Sequence, residues 1–274
     1  MWLEILLLGI IGFIAATFGS VVGLGGGIIL VPGLVYLGPW LLGEAVSSQT
    51  AVATSLAVLI FTALSSTLAY SKVKRVDWRN GLIFFITSGP GSMVGAQLAQ
   101  YFQDSSFQLA FGFFMLAMAV LMIVKERMKP LQIQWRRMQS FTDGTGATHE
   151  YGLNIPLMLL IGFMVGLVSG LFGIGGGSLF VPLMVLLFRY PAHIATATSM
   201  FVIFLSSILG TSVHAWNGSV DWMLVLILAP SAWIGGKFGA AIANRMSGKG
   251  LLLLLRLTLL VISLRMIISG FMAD

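Results

Sequence analysis

Two stretches hold residues whose types and spacing could meet a small anion. GLGGGIILVP carries Gly25, Gly26 and Gly27, and GIGGGSLFVP carries Gly175, Gly176 and Gly177, with Pro32 or Pro182 five residues on. Each glycine costs a helix about 1 kcal/mol against alanine. The spacing therefore predicts a broken helix in each stretch. The helix that restarts exposes N–H groups, and its dipole makes that end an anion site. The competing reading is close backbone packing, a common use of glycine between membrane helices. Nucleotide binding does not fit. Gly23 and Gly25 match the start of G-x-G-x-x-G, but position 28 is isoleucine and no strand–helix unit surrounds it.

Hydroxyls accompany each stretch: Thr54 and Ser55 in AVATSL, Thr198 and Ser199 in ATATSM. A hydroxyl donates to an oxyanion without a permanent charge, or it bonds a neighbouring helix or a carbonyl one turn back. Gln49 and His193 occupy equivalent positions just before them and form a candidate pair of polar gates. Lys237, in IGGKFGAA, lies inside an apolar segment where its equivalent is Gln97. An ionisable residue at such depth suggests function; the alternative is snorkelling toward the end that carries Arg245. Thr67 aligns with Thr211 and Tyr70 with His214. Asp77 and Asp221, each followed by a tryptophan, read as helix N-caps at the membrane interface.

Other chemistry finds no residues. There is no cysteine, H-E-x-x-H or paired carboxylate. Neither an enzyme, a metal site nor a cofactor is expected. No Asp or Glu falls in the middle of an apolar segment, which argues against an acidic proton relay.

The elements that must position these residues are membrane helices. The chain of 274 residues is 58% hydrophobic and only 9% charged, and a soluble domain carries far more charge. Its net charge of +6 comes from basic residues that sit mostly in loops. They set membrane orientation and do not indicate a nucleic-acid partner. MWLEILLLGIIGF has no basic n-region and no A-x-A site, so it reads as a retained helix.

A repeat runs through the chain. GFIAATFGSVVGLGGGIILVP (12–32) matches GFMVGLVSGLFGIGGGSLFVP (162–182), and TLAYSKVKRVDW (67–78) matches TSVHAWNGSVDW (211–222). Residues 1–125 form one transmembrane repeat and 153–274 the other, with a polar, basic cytoplasmic linker at 126–152. Each repeat divides into five apolar segments: 3–23, 27–42, 47–71, 80–101 and 107–124, then 153–173, 177–189, 192–216, 221–244 and 251–271. The loop SKVKRVDWR is basic where its counterpart WNGSVDW is not, whereas NRMSGKG is basic where YFQDSS is not. Basic loops lie inside. Equivalent loops therefore fall on opposite sides, which requires an odd number of crossings per half and places both termini outside. The expected fold class is an all-α polytopic membrane protein, an inverted 5+5 repeat of transmembrane and broken helices, which is a transporter architecture.

With these motifs in place, the chain resembles the TauE/SafE sulfite exporter family. GSVVGLGGGIILVP, GLVSGLFGIGGGSLFVP, Thr54-Ser55, Thr198-Ser199 and the two V-D-W stretches carry the resemblance over nearly the whole length. It implies a multi-pass transporter of the cell membrane for sulfite, organosulfonates or related oxyanions, with small organic acids as an alternative cargo and an anion channel as an alternative mechanism. The expected partners are a small anionic solute and the lipid bilayer, with a homo-oligomer left open. Exported anions gain about 2.3 kcal/mol per charge per 100 mV when the cytoplasm is negative. Export by alternating access thus needs no coupling ion.

Overall fold

The computed structural model describes residues 2–43, 46–102, 104–127, 137–144 and 146–247, together with helical positions scattered between 250 and 268. Five helices make up the first repeat: α1 (Trp2–Val22), α2 (Gly27–Leu42), α3 (Ser48–Lys72), α4 (Trp78–Ala99) and α5 (Asp104–Arg127). A two-stranded antiparallel hairpin follows, β1 (Arg137–Thr142) and β2 (Thr148–Leu153). The second repeat continues with α6 (Ile155–Phe172), α7 (Gly177–Leu187), α8 (Ala192–Trp216) and α9 (Trp222–Ala243). Of the expected fifth segment, only the scattered helical positions lie among the described residues. Trp135, where an interfacial turn was expected, lies outside them.

Six of these helices are long and apolar enough to cross a membrane: α1, α3, α4, α6, α8 and α9. α2 and α7 are too short. The chain is a polytopic, helical membrane protein. Its outer surface is apolar, with large side chains such as Ile86, Leu226 and Ile234 exposed. Trp40, Trp78, Trp216 and Trp222 are exposed at helix ends, as residues of an aromatic belt are.

The second segment does not continue in the direction of the first. α2 turns back along α1, because Gly26 sits against the Ala15 carbonyl and a Cβ on Gly33 would touch Ile11 Cγ2 at 3.5 Å. Central α3 and α8 run antiparallel. Thr54, near the start of α3, bonds Asp221 just beyond the end of α8; Thr198, near the start of α8, bonds Asp77 just beyond the end of α3.

The repeats exchange partners around this core. α1 packs on α9 and α6 on α4. Small residues make these seams: Cβ atoms on Gly91 and Gly95 would overlap backbone of α6, and those on Gly235 and Gly239 would overlap backbone of α1. Such contacts need backbones at close range.

Asp77 and Asp221 are N-caps, accepting from the N–H groups of Asn80 and Leu224 at 3.2 and 3.0 Å. Each starts the helix that closes its own repeat's V-D-W turn.

Candidate functional site

Both glycine stretches break the helix. Between α1 and α2 the turn uses Gly23, Gly25 and Gly26 at φ 83°, 81° and 104°; between α6 and α7 it uses Gly173, Gly175 and Gly176 at 69°, 73° and 73°. This left-handed region is open to glycine and strained for other residues. The third glycine of each triplet serves a different purpose. Gly27 and Gly177 are the first helical residues of α2 and α7. A Cβ on Gly27 would overlap the Gly173 carbonyl, and one on Gly177 would overlap the Gly23 carbonyl. The turns of the two repeats are in direct contact.

They meet halfway along the central helices. Leu59, near the middle of α3, and Ile203, near the middle of α8, each pack against both Gly25 and Gly175. All of Gly23 to Gly27 and Gly173 to Gly177 are buried. At this point α2 and α7 begin. Gly26 O accepts from Ile29 and Leu30, and Gly176 O from Leu179 and Phe180. The N–H groups of Gly27, Ile28, Gly177 and Ser178 therefore precede the intrahelical ladders. Two positive helix ends converge at the centre of the protein. Ser178 adds a fully buried hydroxyl with no partner among the described residues.

The threonine–serine pairs fasten this centre. Ser55 donates to the Gly173 carbonyl at 2.8 Å, and Ser199 to the Gly23 carbonyl at 3.0 Å. Thr54 Oγ1 accepts from the Asp221 N–H at 3.1 Å, and Thr198 Oγ1 from the Asp77 N–H at 3.0 Å. All four bonds join one repeat to the other. The hydroxyls already have backbone partners, as the helix–helix bonding alternative required. Tyr70 and His214 also hold backbone carbonyls, each within its own repeat, donating to those of Ser20 and Gly170 at 2.8 and 3.2 Å.

The remaining candidates lie away from the centre. Gln49 Nε2 donates to the Gln100 carbonyl at 2.9 Å, at the start of α3. His193, at the start of α8, lies 3.5 Å from Arg75 Nη1, which donates to Asn244 at 2.7 Å. These equivalent positions stand at opposite ends of the core. Lys237 is on the exposed face of α9, apart from the glycine turns, so its depth in the sequence reflects a surface-facing helix position.

The cluster that sequence reasoning missed is built on Asp77. This carboxylate is buried, and its Oδ2 accepts from Asn80 Nδ2 at 2.6 Å, from Tyr190 at 3.3 Å and from Tyr151 at short range. Tyr151 comes from β2 and stacks on Tyr190, ring centroids 4.0 Å apart. Burial, reinforced by the Asp77 carboxylate, holds both phenol groups protonated well above the usual tyrosine range. Asn80 also donates to Gln139 on β1 at 3.2 Å, and Gly144 N–H donates to the Val73 carbonyl at 3.2 Å. Gly152 N–H bonds the Phe188 carbonyl at 3.2 Å. The hairpin is thereby strapped over the end where α3 stops and α8 starts. The Asp-Gly pair at 143–144 was the available sequence signal for it.

Antiparallel central helices, two interlocked breaks and reciprocal bonds define a class: a duplicated membrane protein with discontinuous helices at its core. The model of the sulfite exporter TauE/SafE family matches residues 8–266, and the chain belongs to that family. It is 45% identical over 270 residues to the probable membrane transporter protein YunE of Bacillus subtilis, covering 98% of this chain and 99% of that one. A probable membrane transporter protein of Methanocaldococcus jannaschii is 30% identical over 272 residues, covering 96% and 95%. No solved structure matches the chain. The chain is a membrane transporter.

Proposed function

We propose that this transporter moves a small oxyanion, of the sulfite or organosulfonate class, out of the cell across the plasma membrane by alternating access. The observation that carries the reading is the convergence of the α2 and α7 N-termini at the middle of α3 and α8. Helix N-termini at a break near the midplane are how transporters meet anionic groups. The family's description, a sulfite exporter, supplies the cargo class.

An inverted arrangement of the repeats supports the mechanism. In each repeat the first two helices meet at the glycine break, and the charge pattern calls for an odd number of crossings, so that the second repeat starts from the other face. The antiparallel α3 and α8, joined end to end by Thr54–Asp221 and Thr198–Asp77, favour this reading. The basic residues Lys72, Lys74, Arg75 and Arg245 then share the cytoplasmic face with the hairpin. The Asp77–Tyr151 strap would hold the cytoplasmic end closed. Among the described residues, no hairpin is inserted over its equivalent end at Asp221.

A panel of anions in proteoliposomes tests the proposal. Sulfite, sulfate, thiosulfate, sulfoacetate, taurine and lactate are offered under an imposed voltage or proton gradient. Saturable flux of a sulfur oxyanion, driven toward the positive side, is expected. Absence of flux for every anion would overturn it, and flux that does not saturate would indicate a channel.

A further inference from the structure

Phe107, Phe111 and Phe114 of α5, in the first repeat, close on Phe172 at the end of α6, in the second, with ring centroids 5.4 to 5.7 Å apart. On the other side of the molecule an open crevice of about 260 Å³ lies between α1, α2 and the C-terminal helical positions. Its walls are apolar, from Ile14, Ile29, Pro32 and Val261. Ile28, fully buried, closes its inner end beside the Gly27 turn. Arg265 and Tyr36 also line it, the guanidinium 4.9 Å from the ring centroid.

We infer that this crevice is a binding site for an anionic phospholipid, one acyl chain filling the groove and the headgroup phosphate paired with Arg265. Three observations support this occupant. Ile14, Leu37 and Val261 line the crevice and are exposed on the apolar outer surface, so lipid is what this surface meets. Arg265 is exposed, and among the described residues no carboxylate pairs with it. An arginine on a membrane-facing helix reaches for a headgroup phosphate, and its planar fork suits a phosphate oxygen pair. Third, the space is kept open at a specific position. Gly33 lines the crevice, and a Cβ there would meet only Ile11 at 3.5 Å, an ordinary contact. The equivalent residue of the second repeat is Leu183. Packing alone would accept a side chain at 33, and the chain has none.

The test follows lipid-dependent thermal stability of the detergent-purified full chain. The probes are dioleoyl phosphatidylglycerol, dioleoyl phosphatidylcholine and glycerol phosphate, the last a headgroup without chains. Wild type should show a larger rise in unfolding temperature with phosphatidylglycerol than with phosphatidylcholine, and none with glycerol phosphate. Arg265→Gln should weaken apparent phosphatidylglycerol affinity about fivefold, to the phosphatidylcholine level. Gly33→Leu, which fills the groove and leaves the arginine in place, should remove the response to both lipids. An equal phosphatidylglycerol response in wild type and both variants would overturn the inference. So would a glycerol phosphate response equal to that of the lipid.

Discussion

Ser55 of the first repeat donates to the Gly173 carbonyl of the second at 2.8 Å. The mirror of this bond is Ser199 to Gly23 at 3.0 Å. Each pins the first glycine of the opposite repeat's turn. If the centre works as one symmetric fastening, the two bonds have similar weight. Ser55→Ala and Ser199→Ala should each destabilise the purified protein by about 1 kcal/mol, since a buried carbonyl loses its partner. Thermal unfolding in detergent measures this. A loss confined to one variant would contradict the equivalence.

The strap makes a second prediction. Tyr151→Phe removes one donor to Asp77 and leaves the stacked ring in place. Amide hydrogen exchange in β1 and β2 should accelerate several-fold, with little change in α3 or α8. Unchanged protection would show that the hairpin is held by other contacts.

The same strap has a defined pH response. The Tyr151 and Tyr190 hydroxyls ionise at higher pH when docked than when free. A raised acid pKa means the docked form keeps protons that the undocked form has lost. Its stabilisation is full below the free tyrosine value, about 10, and declines as pH rises above it. Hairpin protection should therefore be flat between about pH 6 and 9 and fall above about 10. In Tyr151→Phe the alkaline fall should be shallower. A fall centred near neutrality would contradict the assignment.

Lys237 faces outward on α9. Lys237→Gln, which installs the residue type found at the equivalent Gln97, should leave anion flux within about twofold of wild type, as surface substitutions usually do. A loss of tenfold or more would return the lysine to the translocation route.

Much of this architecture was legible in the sequence. Both breaks and the approximate bounds of α1 to α9 follow from glycine and proline punctuation in apolar runs. The N-capping by Asp77 and Asp221 follows from residue type. The return of α2 along α1 was not legible, because hydropathy marks a segment's length and says nothing of its direction. Thr54 and Thr198 were flagged as donors to an anion or as bonds between helices; their hydroxyls instead accept from the N–H groups of Asp221 and Asp77. The Asp221 N–H lies 167 residues from Thr54, and no local pattern reports such a pairing. The hairpin was hidden by composition: a polar, basic connection reads as solvated until Tyr151 is seen against Asp77.

In the proposed mechanism the paired glycine turns are the anion centre of this transporter. Gly27→Ala tests it most directly, because one methyl group would press on the Gly173 carbonyl where the turns touch. The measurement is saturable sulfite flux in proteoliposomes, with insertion and helicity of the variant checked beside wild type. Wild type should carry flux, and an inserted, helical Gly27→Ala protein should lose at least tenfold, the scale set by misplacing a site by about 1 Å. Wild-type flux in that variant would contradict it.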